Sequence, residues 1–460
     1  MSAAVSACVS FALFGLPLFC VLTAIGLFGL HDRHQQLALA VADVYKLAGA
    51  LAETLMTIPL FTFAGYLMAS AKTAHRLIRM AEAILGWIPG GLAVMTVLTC
   101  AFFTTFTGAS GVTIVAVGGL ILPELMRSGY KRTAALEVVT GSGSVGLLFV
   151  PALPLFVYGT VFAVQYGLFT KGMDDAPEFA IDKFLFCGTV PGLVLVGLLV
   201  VYCVIKGAVL KVPRRPVDTR AFLRALWEAK WEIPIPIGII AFLKFGIALP
   251  AESAARTALY VFVIEVFVYR DIKLRDVLTI ARESMTLVGA IFMKIVGATV
   301  LTTYFVEAEI PQRLFDWISN YVHAQWSYLL LLNLVLLLVG CMMDIFSAII
   351  VVVPLMVPAV VTYHINPYHL GVIFLLNLEI GYLLPPAGLN LFIAAFRFNR
   401  PITELYRAVV GFILVMVVAL LLVTYIPQLT VVFETKLPPG VTSPIAPVAP
   451  AAPIAPAPEL

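Results

Sequence analysis

Apolar positions in this chain run in long unbroken blocks, not in alternation and not in one-sided stripes. The blocks cover 5–30, 51–70, 91–123, 134–165, 184–205, 232–250, 256–269, 283–304, 327–360, 368–396 and 404–431, with charged residues gathered in the stretches between them. A helix needs about 20 apolar residues to cross a bilayer. The pattern therefore predicts an all-α polytopic membrane protein. A β-barrel would show short alternating segments, and none is visible. The first block lacks a basic leader and is followed by further spans, so it reads as the first span and not as a signal peptide.

Two of these blocks repeat one another at an offset of 235 residues. Val145–Gly159 (VGLLFVPALPLFVYG) answers to Ile380–Ala394 (IGYLLPPAGLNLFIA), with Gly146, Pro151 and Ala152 matching Gly381, Pro386 and Ala387. Pro123 and Pro358 keep the same offset. Internal repeats built on glycine- and proline-interrupted apolar segments mark secondary transporters, with the site where the helices break.

Charge assigns the sides. The stretch 206–230 holds Lys206, Lys211, Arg214, Arg215, Arg220, Arg224 and Lys230 against Asp218 and Glu228, and is placed in the cytoplasm. Arg270–Arg282 falls on the same side; Lys171–Lys183 and Ala308–Gln325 fall outside. The loop with Arg127, Lys131 and Arg132 has as its repeat counterpart Thr362–Pro367, without lysine or arginine. A basic loop whose repeat equivalent has no basic residue points to opposite sides of the bilayer, as an inverted repeat requires. It places Arg397, Arg400 and Arg407 inside and the C-terminus outside. Blocks 91–123 and 327–360 then each start and finish on one face. Re-entrant hairpins fit, enclosed by protein because irregular backbone cannot face lipid; a long kinked span is the alternative.

Composition narrows the function. Hydrophobic residues make up 61%, charged residues 12%, and mean hydropathy is +1.03, against about a quarter charged residues in soluble domains. The net charge of +3 is spread over loops and forms no nucleic-acid footprint. The cysteines (Cys8, Cys20, Cys100, Cys187, Cys203, Cys341) stand singly, and the histidines include no HExxH. An enzyme is not expected.

Candidate chemistry sits at the breaks. FTTFTGASGVT (103–113) crowds Thr104, Thr105, Thr107, Ser110 and Thr113 around Gly108 and Gly111. Thr140-Gly141-Ser142-Gly143-Ser144 is its partner region. Hydroxyls, free carbonyls and helix ends at such breaks can hold a dehydrated cation, although glycines also serve close helix packing. The second half supplies Asp344, Asn377, Glu379 and Asn390; Ala109 pairs with Asp344 and Ser142 with Asn377 by offset. An intramembrane carboxylate is functional by default. Lys294 snorkels, pairs with a carboxylate, or meets an anionic substrate.

These motifs resemble those of the large membrane (M, or DctM-type) subunit of tripartite ATP-independent periplasmic (TRAP) transporters. The resemblance rests on IPLFTFAGYLM (58–68), GWIPGGLAV (86–94), FTGASGVT (106–113), LPELMRSGY (122–130), GLLFVPALPLFVYG (146–159), MDIFSAI (343–349) and IGYLLPPAGLNLF (380–392), in family order across residues 5–431. It implies a sodium-coupled importer of organic acids, working as an elevator, in a bacterial inner membrane of the Gram-negative type. It also implies two partners: a periplasmic substrate-binding protein and a small four-helix membrane subunit, expected as a separate chain. Carried onto this sequence, it implies Na+ at Thr107, Gly108, Ser110, Gly141, Ser142, Asp344 and Asn377. The substrate is implied at Ser144, Pro151, Pro386, Gly388, Asn390 and Lys294. The chain has Ala152 and Ala387 after its break prolines, where the first half of the family pattern carries a serine, and Arg256 near the middle turn.

The expected organisation is N-terminal scaffold spans in 1–80; a first transport half in 81–183; scaffold spans and the basic loop in 184–282; a second transport half in 283–403; a last span in 404–431; and a Pro/Ala-rich, disordered tail in 432–460. The competing readings are a self-sufficient ion-coupled organic-anion permease, a membrane-embedded enzyme, and an anchor.

Overall fold

In a computed structural model, the structure describes residues 16–50, 52–170, 179–212 and 219–432. The start of the first apolar block, the acidic stretch Asp174–Glu178, Arg214 and Arg215 of the basic loop, and the Pro/Ala tail lie outside the described residues.

The described chain is helical throughout. A frame is built from α1 (Leu18–Asp32), α2 (Ala38–Ala50), α3 (Ala52–Ser70) and α4 (Thr73–Leu85) at the N-terminal end of the chain. The same frame contains α10 (Thr219–Glu228), α11 (Pro234–Lys244), α12 (Pro250–Val263) and α13 (Leu274–Glu307). α13 has 34 residues, about 51 Å at 1.5 Å per residue, longer than a hydrocarbon core. α1, α2 and α3 pack along it, and α12 packs on α3. Residues 283–307, which the sequence groups with the second transport half, belong to this helix.

One ionic cluster ties the amphipathic α4 to the α12 end of the frame. Arg76 donates from Nε to Glu232 Oε1 (2.6 Å), from Nη2 to Glu265 Oε2 (3.0 Å) and from Nη1 to Asp271 Oδ2 (2.5 Å). Thr73 Oγ1 donates to Glu265 (2.8 Å). The Arg76 guanidinium also lies 3.8 Å from the Tyr269 ring centroid.

The rest is a body in which the 235-residue repeat is visible helix by helix. In the first half, α5 (Gly91–Thr107) turns into α6 (Ser110–Arg127), followed by α7 (Arg132–Gly141), a 3-10 turn and α8 (Leu153–Phe169). α9 (Ile181–Val209) closes the half. After α14 (Ile310–Ser319), the second half runs α15 (Gln325–Met342), α16 (Ile345–Thr362), α17 (Pro367–Gly381) and α18 (Leu389–Phe398). α19 (Ile402–Ala408) and α20 (Val410–Tyr425), bent by 51° from each other, finish the body. Adding 235 to the bounds of α6 gives those of α16. Two cis peptides among the described residues, Val150–Pro151 and Pro385–Pro386, also sit at equivalent positions.

Each long block of 91–123 and 327–360 is two helices and a turn. The first turns through Gly108, whose φ of +59° favours glycine, and whose N–H donates to Thr104 O (2.8 Å). The second has no glycine at its turn. Met343 is extended there (φ −123°, ψ 153°), and Asp344 caps α16, its carboxylate accepting from Ser347 N (3.3 Å). α6 returns alongside α5. Tyr328 at the start of α15 stacks on Tyr363 just past α16, with centroids 4.7 Å apart. The ends of the second hairpin thus come together on one face.

Two glycines let the broken segments approach the hairpins. A Cβ on Gly146 would sit 2.6 Å from Thr105 N, and one on Gly381 would sit 2.6 Å from the Gly340 backbone. Thr105 and Gly340 are themselves 235 residues apart, so one backbone-to-backbone contact is made twice. The halves meet where Ser144 Oγ donates to Glu379 O (3.4 Å), again an equivalent pair.

Among the described residues, five helices are long and apolar enough to cross a membrane, or six with the bent pair α19–α20. The all-α polytopic architecture with two helix-turn-helix hairpins and two broken segments is as the sequence predicts. The chain also holds helices that span-length apolar blocks did not announce: α2, α4, α10 and α14.

Candidate functional site

A cavity of about 580 Å³ opens between the frame and the hairpin tips. The frame contributes Tyr66 and Ser70 from α3 and Glu283 and Lys294 from α13. The body contributes Gly108 and Ser110 from the first tip, Asp344 and Phe346 from the second, and Tyr382 and Leu389 from the second break.

The central feature is an ion pair across the cavity. Lys294 Nζ donates to Asp344 Oδ1 at 2.9 Å, with the side chains 28% and 20% exposed. Asp344 Oδ1 also accepts from Ser347 Oγ (2.7 Å). One carboxylate therefore caps α16 and joins the second hairpin to the frame. Tyr382 fixes the tip from behind: its hydroxyl accepts from Ile345 N (2.7 Å).

The first tip is a hydroxyl cluster. Thr104 Oγ1 donates to Gly143 O (2.7 Å) and lies 2.9 Å from Thr113 Oγ1. Thr107 Oγ1 lies 3.5 Å from Thr113 Oγ1. This brings the 103–113 stretch against the 140–144 stretch, as expected of paired breaks.

Of the residues singled out in the sequence, Gly108, Ser110, Lys294 and Asp344 line the cavity, and Thr107 stands behind the first tip. Ser142 is buried, its Oγ donating to Val138 O (2.6 Å). Gly141 packs against the Phe412 ring. Pro151 and Pro386 lie at the two cis bonds. Tyr406 Oη donates to Pro386 O (2.6 Å). Gly388 leaves no room for a Cβ beside Tyr382 O (2.6 Å). Asn377 is placed away from the cavity. Its Nδ2 donates to Asn333 Oδ1 (2.8 Å) and Ile373 O (2.9 Å), and Asn333 Nδ2 donates to Thr424 Oγ1 (3.1 Å). His369 extends this polar seam, its ring nitrogens 2.9 Å from Thr430 Oγ1 and 3.1 Å from Thr424 O.

The breaks also hold buried oxygens that lack a hydrogen-bond partner: Thr140 Oγ1, Asn377 Oδ1, Asn390 Oδ1 and both carboxylate oxygens of Glu379. Among the described residues, no group of three His, Cys, Asp or Glu side chains could hold a metal. The donor chemistry is hydroxyl, amide, carbonyl and carboxylate oxygen, of the kind hard cations take.

Sequence reasoning did not single out Tyr66, Glu283, Tyr382 or Asn333. Asn333 carried a signal, as the lone amide in the run Leu329–Leu338. The others lie in ordinary span sequence and become notable only through the fold.

Known proteins share both the sequence and the architecture. The C4-dicarboxylate TRAP transporter large permease protein DctM of Rhodobacter capsulatus is 33% identical over 389 residues, 83% of this chain and 87% of that one. The ectoine/5-hydroxyectoine TRAP transporter large permease protein UehC of Ruegeria pomeroyi is 30% identical, over 91% of this chain and 94% of its own. The Alcanivorax borkumensis YdaH transporter, 15% identical, shares the fold with a TM-score of 0.62 over 92% of this chain and 97% of that chain. The family described as "Tripartite ATP-independent periplasmic transporter, DctM component" matches residues 3–429. Hairpins, paired breaks and sequence agree, and the chain belongs to the DctM family of TRAP transporter large permeases.

Proposed function

We propose that this permease imports an organic acid by sodium-coupled symport through the cavity at the hairpin tips. The observation that carries the reading is the Lys294–Asp344 pair, one charge on the frame and one on the hairpin. A substrate carboxylate competes with Asp344 for the Lys294 ammonium. Hydroxyls and the free backbone of the breaks complete its recognition. Asp344, released, is open to a cation.

The residues fit sodium. Thr107, Gly108, Ser110, Gly141 and Ser142 supply hydroxyl and carbonyl oxygens around the first break. Asp344, with the orphaned amide oxygen of Asn390, supplies them around the second, while Asn377 stands apart in the seam with Asn333. When bound, the ion would supply positive charge and a coupling to the sodium gradient. Ser144, Pro151, Pro386 and Gly388 shape the backbone at the substrate's side of the breaks.

In this reading the two hairpins, the broken segments, α9 and α20 travel as one body against the frame, as an elevator. Relatives named for C4-dicarboxylates and for ectoine support a small carboxylate-bearing solute. A periplasmic binding protein delivers it, and a small membrane subunit braces the frame. The membrane is the bacterial inner membrane, with 206–230 in the cytoplasm and the C-terminus outside. The test is uptake in proteoliposomes holding the chain with its small subunit and binding protein, with sodium and proton gradients imposed separately. Uptake should follow sodium. Uptake that follows protons alone overturns sodium coupling, and uptake without the binding protein overturns the tripartite arrangement.

A further inference from the structure

A second cavity, of about 330 Å³, lies at the charged ends of α7, α9 and α19, away from the hairpin tips. Its lining includes Lys131, Glu137, Tyr202, Lys206, Arg407 and Gly411. We infer that it is an anion site for a phosphate-bearing group, at headgroup depth.

The argument starts from charge. Three cations and one carboxylate face the cavity, and the carboxylate is already used. Glu137 is 2% exposed. Its Oε1 accepts from Tyr202 Oη (2.5 Å), and its Oε2 accepts from Lys206 Nζ. Lys206 also donates to Tyr202 Oη (3.1 Å), one turn back on α9. That triad is neutral in charge, with Glu137 buried and Lys206 partly exposed. Lys131 and Arg407 remain. Among the described residues neither has a carboxylate partner, and Glu404, one turn before Arg407, does not pair with it. The cavity thus holds an excess of two positive charges.

The backbone agrees in sign. Lys131 is the N-cap of α7, in extended conformation (φ −61°, ψ 144°) and without a side-chain cap. Thr133 and Ala134 of the first turn line the cavity. The positive end of the α7 dipole is therefore at the cations' side. Gly411 lets α20 close on the triad, since a Cβ there would sit 2.8 Å from Glu137 Oε1 and collide with the Tyr202 hydroxyl. Leu210, Ala134 and Ala408 supply an apolar wall. A group with a doubly accepting anionic head and an apolar flank matches this lining. Phosphate fits it as the diester of a lipid headgroup or as a free anion.

The experiment separates the two sources. The full chain is purified in detergent, and binding of phosphatidylglycerol, phosphatidylcholine and inorganic phosphate is measured by native mass spectrometry and thermal shift. Expected is retention of phosphatidylglycerol over phosphatidylcholine, whose own ammonium offsets its phosphate. The double variant Lys131→Gln/Arg407→Gln, at two exposed positions, should weaken binding roughly tenfold for each cation removed. Inorganic phosphate that binds alone and displaces the lipid assigns the site to a free anion. Lipid retention untouched by phosphate assigns it to a headgroup. Failure of both to bind, or equal binding by the double variant and the parent, overturns the inference. Glu137→Gln gives an independent check: freeing Lys206 should tighten the anion, and unchanged affinity in a folded variant counts against the site.

Discussion

Replacing Asp344 by asparagine should abolish most sodium-driven uptake while leaving the protein folded. Asp344 makes three contacts: it accepts from Ser347 N (3.3 Å), Ser347 Oγ (2.7 Å) and Lys294 Nζ (2.9 Å). Asparagine caps helices about as well as aspartate: its amide oxygen can take the bond from Ser347 N, and its amide N–H can donate to Ser347 Oγ, which in the native residue donates to the other carboxylate oxygen. What is lost is charge. Breaking a buried pair costs about 3–5 kcal/mol, and an exposed pair is worth about 0–1 kcal/mol. With side chains 28% and 20% exposed, solvent screening puts this pair between those limits, at about 1–2 kcal/mol. A native stability of about 5–15 kcal/mol tolerates that loss. Transport should not if the proposed mechanism holds, because both the competitor for Lys294 and the acid proposed to receive a cation vanish together. Uptake should fall at least tenfold, roughly the effect of 1.4 kcal/mol on a binding step.

The assay has two readouts. Thermal unfolding of the purified variant measures the structural part, and sodium-titrated uptake by the reconstituted complex measures the transport part. Normal uptake across the titration would return Asp344 to a capping role. The charge-swapped double variant Lys294→Asp/Asp344→Lys gives the sharper refutation. If the pair only clamps hairpin to frame, the swap restores it and uptake returns. If Lys294 receives the substrate carboxylate, the swap leaves an acid on the frame and uptake stays lost.

Two other expectations follow from the same structure. Single cysteines at Ser128 and Asn366, in equivalent loops of the two halves, should label from opposite sides of the membrane with an impermeant thiol reagent; equal labelling from outside would refute inversion. Arg76→Gln should destabilise the frame by about 3–5 kcal/mol, read as a lowered unfolding temperature. It removes one cation from Glu232, Glu265 and Asp271, which are at most 8% exposed in their side chains. An unchanged melting profile would show that these carboxylates do not depend on it.

How much was legible in sequence depended on whether the physics was local. The hairpin turn at Gly108 was legible, because a left-handed backbone wants glycine and glycine stood there among hydroxyls. The second tip had no glycine and was legible only through the repeat, which put Asp344 opposite Ala109. Offsets transmit backbone geometry well: Gly146 against Thr105 and Gly381 against Gly340 are one contact written twice. They transmit side-chain roles poorly. Ser142 and Asn377 share an offset, yet one folds back onto its own helix and the other joins Asn333 and Thr424 in a separate seam. The amphipathic helices α4 and α14 went unannounced because a search for span-length apolar blocks is blind to short two-faced helices. Lys294 and Asp344 are 50 residues apart, on elements whose meeting no propensity dictates. Their pairing was one option among three for Lys294, and only packing selects it. That selection matters for mechanism. A lysine that snorkelled to the headgroups would be a membrane anchor. Under the elevator motion proposed above, a lysine held 2.9 Å from the tip of the second hairpin is instead a contact that must break when that hairpin moves past α13. In that proposal a solute that competes for it lowers the cost of the motion, and an anion would license its own transport.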